Sequence, residues 1–290
     1  MTILAATCVP QVPPERLREV ARAAEDAGLA ELWIWEDCFW GGAMALASAL
    51  LAWTDRLAVG IGVLPVPLRN VALTAMEVAA LERMFPGRVT VGVGHGVQEW
   101  MGQVGARAGS PLTLLAEYLQ ALRGLLSGQR VTTDGRYVKL DDVALGLPPR
   151  DPPPLLAAAT GDRTLQVSGR HADGTILDSA STTPGRLHAA RDIIAGARAA
   201  AGRTTPHQVV VYLMTVTGPD AARRLAATHA AGSAAVAGDA AEVAAAVRFW
   251  AGAGADKVVL HPDPGNQDPV GFIRFAAEQV QPYLGVSPPP

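Results

Sequence analysis

The sequence predicts an α/β protein of the (β/α)8 TIM-type barrel class, and three observations carry that expectation. Runs of apolar, strand-like residues alternate with helix-like runs almost without interruption along the 290 residues. The strand-like runs read as buried on both faces, as strands of a parallel sheet are. Eight strand–helix units in a chain of this length suit a closed barrel of roughly 250 residues better than an open doubly wound sheet. A charged content of 18%, below the usual ~25%, agrees with helices that pack on other structure.

The units follow one another in order. "TILAATCV" is the first strand, and "PERLREVARAAEDAGL" behind it is a helix with apolar Leu17, Val20, Ala21 and Ala24 and a stop at Gly28. "ELWIWE" is the second strand, followed by an Ala/Leu helix through "GAMALASALLAW". "RLAVGIGVL" and "NVALTAMEVAALERMF" form the third unit, with Asn70 as N-cap. "RVTVGVG" is the fourth strand, and "SPLTLLAEYLQALRGLLSG" its helix, opened by Ser110 at N-cap and Pro111 at N1. "PPLLAAAT", "DGTILD", "QVVVYLMTVT" and "DKVVLHP" supply the last four strands, each with a helical run behind it. The alanine-rich stretch from Arg223 to Ala255 reads as helices joined by a short connecting run.

Residues 128–153 break the pattern with a hairpin signal at Asp134-Gly135 and a proline-rich return. They read as an insertion between the fourth helix and the fifth strand. Residues 1–285 are then one barrel domain, and 286–290, "VSPPP", a loose Pro-rich tail.

Several function classes lose support. A net charge of −3 supplies no field for nucleic acid or an anionic membrane. "MTILAATCVP" lacks the basic flank and apolar length of a secretion signal, and no run reaches the ~20 apolar residues of a membrane span. Cys8 and Cys38 read as free thiols in a reducing, cytoplasmic setting. There is no P-loop, no G-x-S-x-G and no complete G-x-G-x-x-G. The histidines are not paired at i, i+4, so no metal site is expected. The expected partner is a small-molecule substrate, and the apolar barrel exterior leaves a homodimer open.

In such barrels the C-terminal strand ends carry the active site. The residues falling there are Cys8, Glu36, Asp37, Gly62, Val63, Gly94, His95, Gly96, Thr160, Gly161, Ser179 and His261. Glycines with Trp35, Trp40 and Trp100 close by suit a flat apolar ligand resting on backbone, although each glycine also fits a tight turn. Glu36 and Asp37 either do chemistry or cap a helix and pair with an arginine. His95 titrates near neutrality and is the candidate proton handler, or else a cofactor donor or pocket wall. N–H groups of Gly161, Asp162 and Arg163 at a helix start, with the Thr164 hydroxyl, form a phosphate cradle, unless Asp162 is a plain N-cap.

The stretch "PVPLRNVALTAMEVAALERMFPGRVTVGVGHGVQEWMGQVGA", with "LWIWED" and "AGDAAEVAAAVRFWAGAGADKVVL", resembles the luciferase-like monooxygenase superfamily. The resemblance is greatest to its branch of oxidoreductases dependent on the deazaflavin coenzyme F420. It implies a TIM-like barrel with the cofactor across its C-terminal mouth. It implies Glu36, Asp37 and His95 as catalytic residues, with Glu36-Asp37 standing where related enzymes often read Asp-His. It implies that Gly62, Val63, Gly94 and Gly96 lie at the ring, with a non-prolyl cis peptide at Gly62-Val63. It places the cofactor phosphate at Thr160, Gly161, Asp162, Arg163 and Thr164. Val97 stands where the sugar-phosphate dehydrogenases of the family carry a glutamate, which argues against their substrate. The implied activity is hydride transfer between F420 and a small organic substrate. An FMN-dependent luciferase-like monooxygenase and a non-catalytic flavin- or deazaflavin-binding protein are the alternatives.

Overall fold

Apolar runs become strands where both faces can be covered, and here every one of them joins one parallel sheet. The computed structural model describes residues 3–285, so the expected tail at 286–290 lies outside the described residues. β1 (Ile3–Thr7), β2 (Glu31–Ile34), β3 (Ala58–Pro65) and β4 (Val89–Gly94) pair side by side. A separate antiparallel hairpin, β5 (Val131–Asp134) and β6 (Lys139–Val143), precedes β7 (Leu155–Ala158), which returns to β4. β8 (Gly174–Leu177) and β9 (Gln208–Val216) continue the sheet, and β10 (Ala235–Ala237) adds to the end of β9. β11 (Lys257–Pro262) pairs with β9 and with β1, Ile3 opposite Lys257, and this closes an eight-stranded (β/α)8 barrel.

The helices between strands are α1 (Leu17–Asp26), α2 (Ala43–Ala52), α3 (Val71–Met84), α4 (Gln98–Gln103), α5 (Pro111–Leu126) and α6 (Asp162–His171), then α7 (Pro184–Ala200), α8 (Ala221–Ala226), α9 (Ala240–Gly252) and α10 (Pro269–Arg274). The expected stripe of α1, Leu17, Val20, Ala21 and Ala24, is buried against the sheet. Asn70 caps α3 by accepting from the Ala72 N–H at 2.9 Å. Ser110 occupies the N-cap position of α5, but its hydroxyl bonds to Thr113 Oγ1 at 2.8 Å and caps no backbone group. The hairpin turn is held from α5, where the Glu117 carboxylate accepts from the N–H groups of Arg136, Tyr137 and Val138 at 2.9 to 3.0 Å.

Two elements depart from the sequence expectation. The stretch after the fourth strand folds into the short helix α4 before α5 begins. The connecting run in the alanine-rich region contains β10, whose pairing with Met214–Val216 only the neighbouring strand supplies.

Inside the barrel a small core of Ala5, Trp33, Leu156, Ile176, Val210 and Val259 is separate from the larger core between sheet and helices. Near the N-terminal strand ends, Lys257 is 2% exposed and its Nζ reaches the Glu31 carboxylate at 2.5 and 2.7 Å. The interior is therefore plugged at that end, and the cavity lies toward the other. Among the described residues, no helix is long and apolar enough to cross a membrane. None of their His, Cys, Asp and Glu side chains form a group of three or more that could hold a metal ion.

Candidate active site

A cavity of about 330 Å³ opens at the C-terminal ends of the strands, within the range of small-molecule sites. Glu36, Asp37 and His95 all line it, as do Gly62, Val63, Gly94, Gly96, Thr160 and Thr164. Residues from strands up to 150 positions apart in the chain meet here, since Tyr212 also lines it and its hydroxyl donates to the Gly62 carbonyl at 3.0 Å.

The floor is built on β3. The Gly62-Val63 peptide is cis, and the pairing of β3 with β4 shifts register between Ile61 and Leu64. Both carbonyls of this bulge are held, that of Gly62 by Tyr212 and that of Val63 by the Glu36 N–H at 3.2 Å. A Cβ on Gly62 would sit 2.3 Å from the Tyr212 hydroxyl, so only glycine admits that bond. A Cβ on Gly94 would sit 2.8 Å from Val63 Cγ2. The β4 glycine thus makes room for the Val63 side chain, which in turn presents itself to the cavity.

The end of β2 supplies the first polar wall. Glu36 accepts from the Ala43 N–H at 2.9 Å, at the start of α2, and pairs with Arg69 Nη1 at 3.3 Å. Arg69 also pairs with Glu77 on α3. Asp37 has no such cation. Its Oδ2 accepts from Trp35 Nε1 at 2.9 Å, and burial pushes its pKa above the ordinary carboxylate value while this indole N–H opposes the rise. Trp35 is itself wedged against His261, ring centroids 5.2 Å apart. Burial, aided by His229, pulls the His261 pKa down to about 4, so that ring is neutral.

His95 lines the same cavity from the end of β4. Its Nε2 lies 3.4 Å from Thr164 Oγ1, and its Nδ1 is buried with no hydrogen-bond partner. Burial lowers its pKa, against a pull from the Pro111 backbone, which is near but outside hydrogen-bond geometry. The neutral imidazole is therefore the resting form at pH 7.

The loop from Thr160 to Thr164 forms the rim. Gly161 is the N-cap of α6, and Asp162 is its first residue and makes no cap bond, which removes the simple N-cap alternative. None of the described residues accepts from the N–H groups of Gly161, Asp162 or Arg163, and all three residues are exposed. Arg186, at the start of α7, donates to Asp162 Oδ1 at 2.7 Å and to the Thr160 carbonyl.

Trp40 does not line the cavity. A turn closed by its N–H on the Asp37 carbonyl at 3.0 Å carries it outward, and it is 60% exposed. Tyr212 and Arg186 join the site without having been singled out for it, and Asp178, an acid at the end of β8, lines it as well. Tyr212 left one trace, a phenol hydroxyl in the otherwise apolar "VVVYLM"; Arg186 left none, because its partner is 24 residues away.

The luciferase-like monooxygenase family profile matches residues 2–263. The chain belongs to that family. It is 28% identical over 221 residues to a 5,10-methylenetetrahydromethanopterin reductase of Methanolobus tindarius, covering 76% of this chain and 67% of that protein. It is 32% identical over 234 residues to an F420-dependent hydroxymycolic acid dehydrogenase of Mycobacterium tuberculosis, 75% of this chain and 63% of that one. Across such curated relatives the match spans 53% to 69% of the relative's own length. Among solved structures, an F420-dependent secondary alcohol dehydrogenase in complex with an F420-acetone adduct superposes with a TM-score of 0.85 at 20% identity, covering 98% of this chain and 99% of that one. At that identity the likeness establishes the barrel fold.

Proposed function

We propose that this chain is an F420-dependent oxidoreductase that moves a hydride between the deazaflavin and a small organic substrate. The observation that carries the reading is the cavity floor, where Val63 stands on a bulge clamped at both carbonyls and faces a space walled by Trp35, Trp100 and Met101. The F420-dependent relatives support it, as does the fit of the residues present. A flat, largely apolar ring suits that space, the unclaimed N–H groups of Gly161, Asp162 and Arg163 suit a phosphate, and His95 Nδ1 lacks a partner. When bound, the coenzyme supplies a carbon that accepts or releases a hydride.

The residues of this chain do the rest. Val63, Gly94 and Gly96 would support the ring, and Thr160, Thr164 and the start of α6 would hold the phosphate. His95, neutral at pH 7, takes a substrate hydroxyl proton in the oxidation direction and returns it in the reverse one. Asp37, with its raised pKa, is the second group able to hold a proton. Glu36, bound to α2 and Arg69, positions the loop that carries Asp37.

Titration of the apoprotein with both cofactors tests the reading. F420 is expected to bind more tightly, and FMN binding at least about tenfold tighter, a gap of about 1.4 kcal/mol, would overturn the choice. The free thiols of Cys8 and Cys38 support a reducing, cytoplasmic setting. The outer face of α3, with Leu73, Met76 and Met84 exposed, supports a second copy of this chain as partner. Sedimentation of Met76→Glu as a monomer beside a dimeric parent is the expected check.

A further inference from the structure

The mouth cavity contains carboxylates and no countercharge. Among the described residues, no lysine or arginine lines it, whereas Glu36, Asp37 and Asp178 do. Arg69 compensates Glu36 from outside the lining. Among the described residues, Asp37 accepts only from the Trp35 indole, and Asp178 only from the Ser181 N–H and hydroxyl, at 2.7 and 2.6 Å. Arg186 at the start of α7 and Arg224 in α8 are already engaged by Asp162 and Asp263. The remaining walls are mainly apolar, with Val63, Pro65, Val97, Trp100, Met101 and Ile176.

A buried anion needs a cation or several N–H donors; no cationic side chain among the described residues lines this cavity, and the N–H groups at the start of α6 are those given to the cofactor phosphate. Two carboxylates without a cation beside it add repulsion, most at Asp37, where burial weakens screening. An uncharged apolar molecule meets no such penalty and gains from leaving water. Simple amines are cations at neutral pH and share no such gain, whereas an alcohol and its carbonyl product are uncharged and differ by one hydride and one proton.

We propose that this cavity takes an uncharged, mainly apolar alcohol or carbonyl compound, and that Asp37 and Asp178 exclude substrates bearing a carboxylate or phosphate. The chemistry rests on the hydride-transfer reading above, while the charge preference rests on the cavity alone. In the oxidation direction the carbinol C–H bond breaks and its hydrogen leaves with both electrons to the oxidised deazaflavin. The C–O bond becomes C=O, and the hydroxyl proton passes to His95.

A matched pair of probes tests the proposal: 1-phenylethanol and 4-(1-hydroxyethyl)benzoate, which differ by one carboxylate. Isothermal titration calorimetry at pH 8 is run on the protein with and without bound deazaflavin. The expected result is saturable binding of 1-phenylethanol at least about tenfold tighter than its carboxylated analogue, with the ratio narrowed in Asp37→Asn and in Asp178→Asn. Equal or tighter binding of the carboxylate, no saturable binding of 1-phenylethanol, or a ratio unmoved in both variants overturns it. A charge preference intact in a protein that fails to bind deazaflavin would support the exclusion of anions and overturn the hydride reading instead.

Discussion

At the N-terminal end of the barrel, Trp33 Nε1 donates to Glu31 Oε2 at 2.9 Å; at the mouth, Trp35 Nε1 donates to Asp37 Oδ2 at the same 2.9 Å. The two pairs share the run "ELWIWED" and the same spacing, yet they end differently. Glu31 also receives Lys257, which is 2% exposed and lies 5.1 Å from the Trp33 ring centroid. Asp37 receives no cation, and burial raises its pKa. A carboxylate with a buried cation is committed to architecture, because separating the pair strands a charge. A carboxylate held by an indole alone keeps the freedom to exchange a proton or repel an anion. Glu36, one residue before Asp37, falls on the architectural side through Arg69 and the α2 N–H group.

Breaking the closed end should have the largest effect. Lys257→Met leaves Glu31 with only its indole partner and should cost about 3–5 kcal/mol of stability, read by denaturant unfolding, with cofactor affinity of the folded protein unchanged. At the open end, His95→Ala should lower kcat about a hundredfold or more while the dissociation constant of F420 moves much less. A loss confined to cofactor affinity would make His95 a wall and not a proton handler.

The floor between the two ends is next. Gly62→Ala pushes a Cβ to 2.3 Å from the Tyr212 hydroxyl and 2.9 Å from the Trp33 ring, and overpacking of this kind should cost about 1–3 kcal/mol. Tyr212→Phe orphans the Gly62 carbonyl at about 1–2 kcal/mol, and the double variant should cost less than the sum, because the phenol is what the new methyl meets. Non-coupled unfolding energies would place the clash elsewhere.

The smallest effect sharpens the contrast by pH. Asp37 has a folded pKa above its ordinary 3.8, so between these values the folded protein holds more proton than the unfolded chain. Stability therefore falls as pH rises through that window and stays lower above it. Asp37→Asn should melt slightly higher than the parent at pH 7, and the two should converge below the ordinary value. An Asp37→Asn protein that melts lower at pH 7 would show a carboxylate compensated like Glu31.

The strand runs, the cap at Asn70 and the hairpin turn were legible because each depends on neighbours a few residues away. The same holds for the position of Glu36, Asp37 and His95 at one end of the barrel, since alternation alone puts strand ends together. Ser110 shows the limit of such reading, for a capping residue chose Thr113 over the helix N–H groups. Trp40 shows another, since proximity in sequence to the site did not bring its ring inside.

By itself, then, the sequence determined the alternation of buried strands and covering helices, and with it the barrel and the end at which its loops gather. Which carboxylate is neutralised was decided by tertiary structure. Lys257 reaches Glu31 across 226 residues, Tyr212 reaches Gly62 across 150, and Arg69 reaches Glu36 across 33. Local propensity acts through adjacent backbone dihedrals and side-chain spacing, whereas a buried charge is settled by whatever partner closure of the barrel brings within about 3 Å. The residues on either side of "ELWIWED" cannot reveal that partner, and so the difference between its two indole-held carboxylates appears only once the sheet has closed.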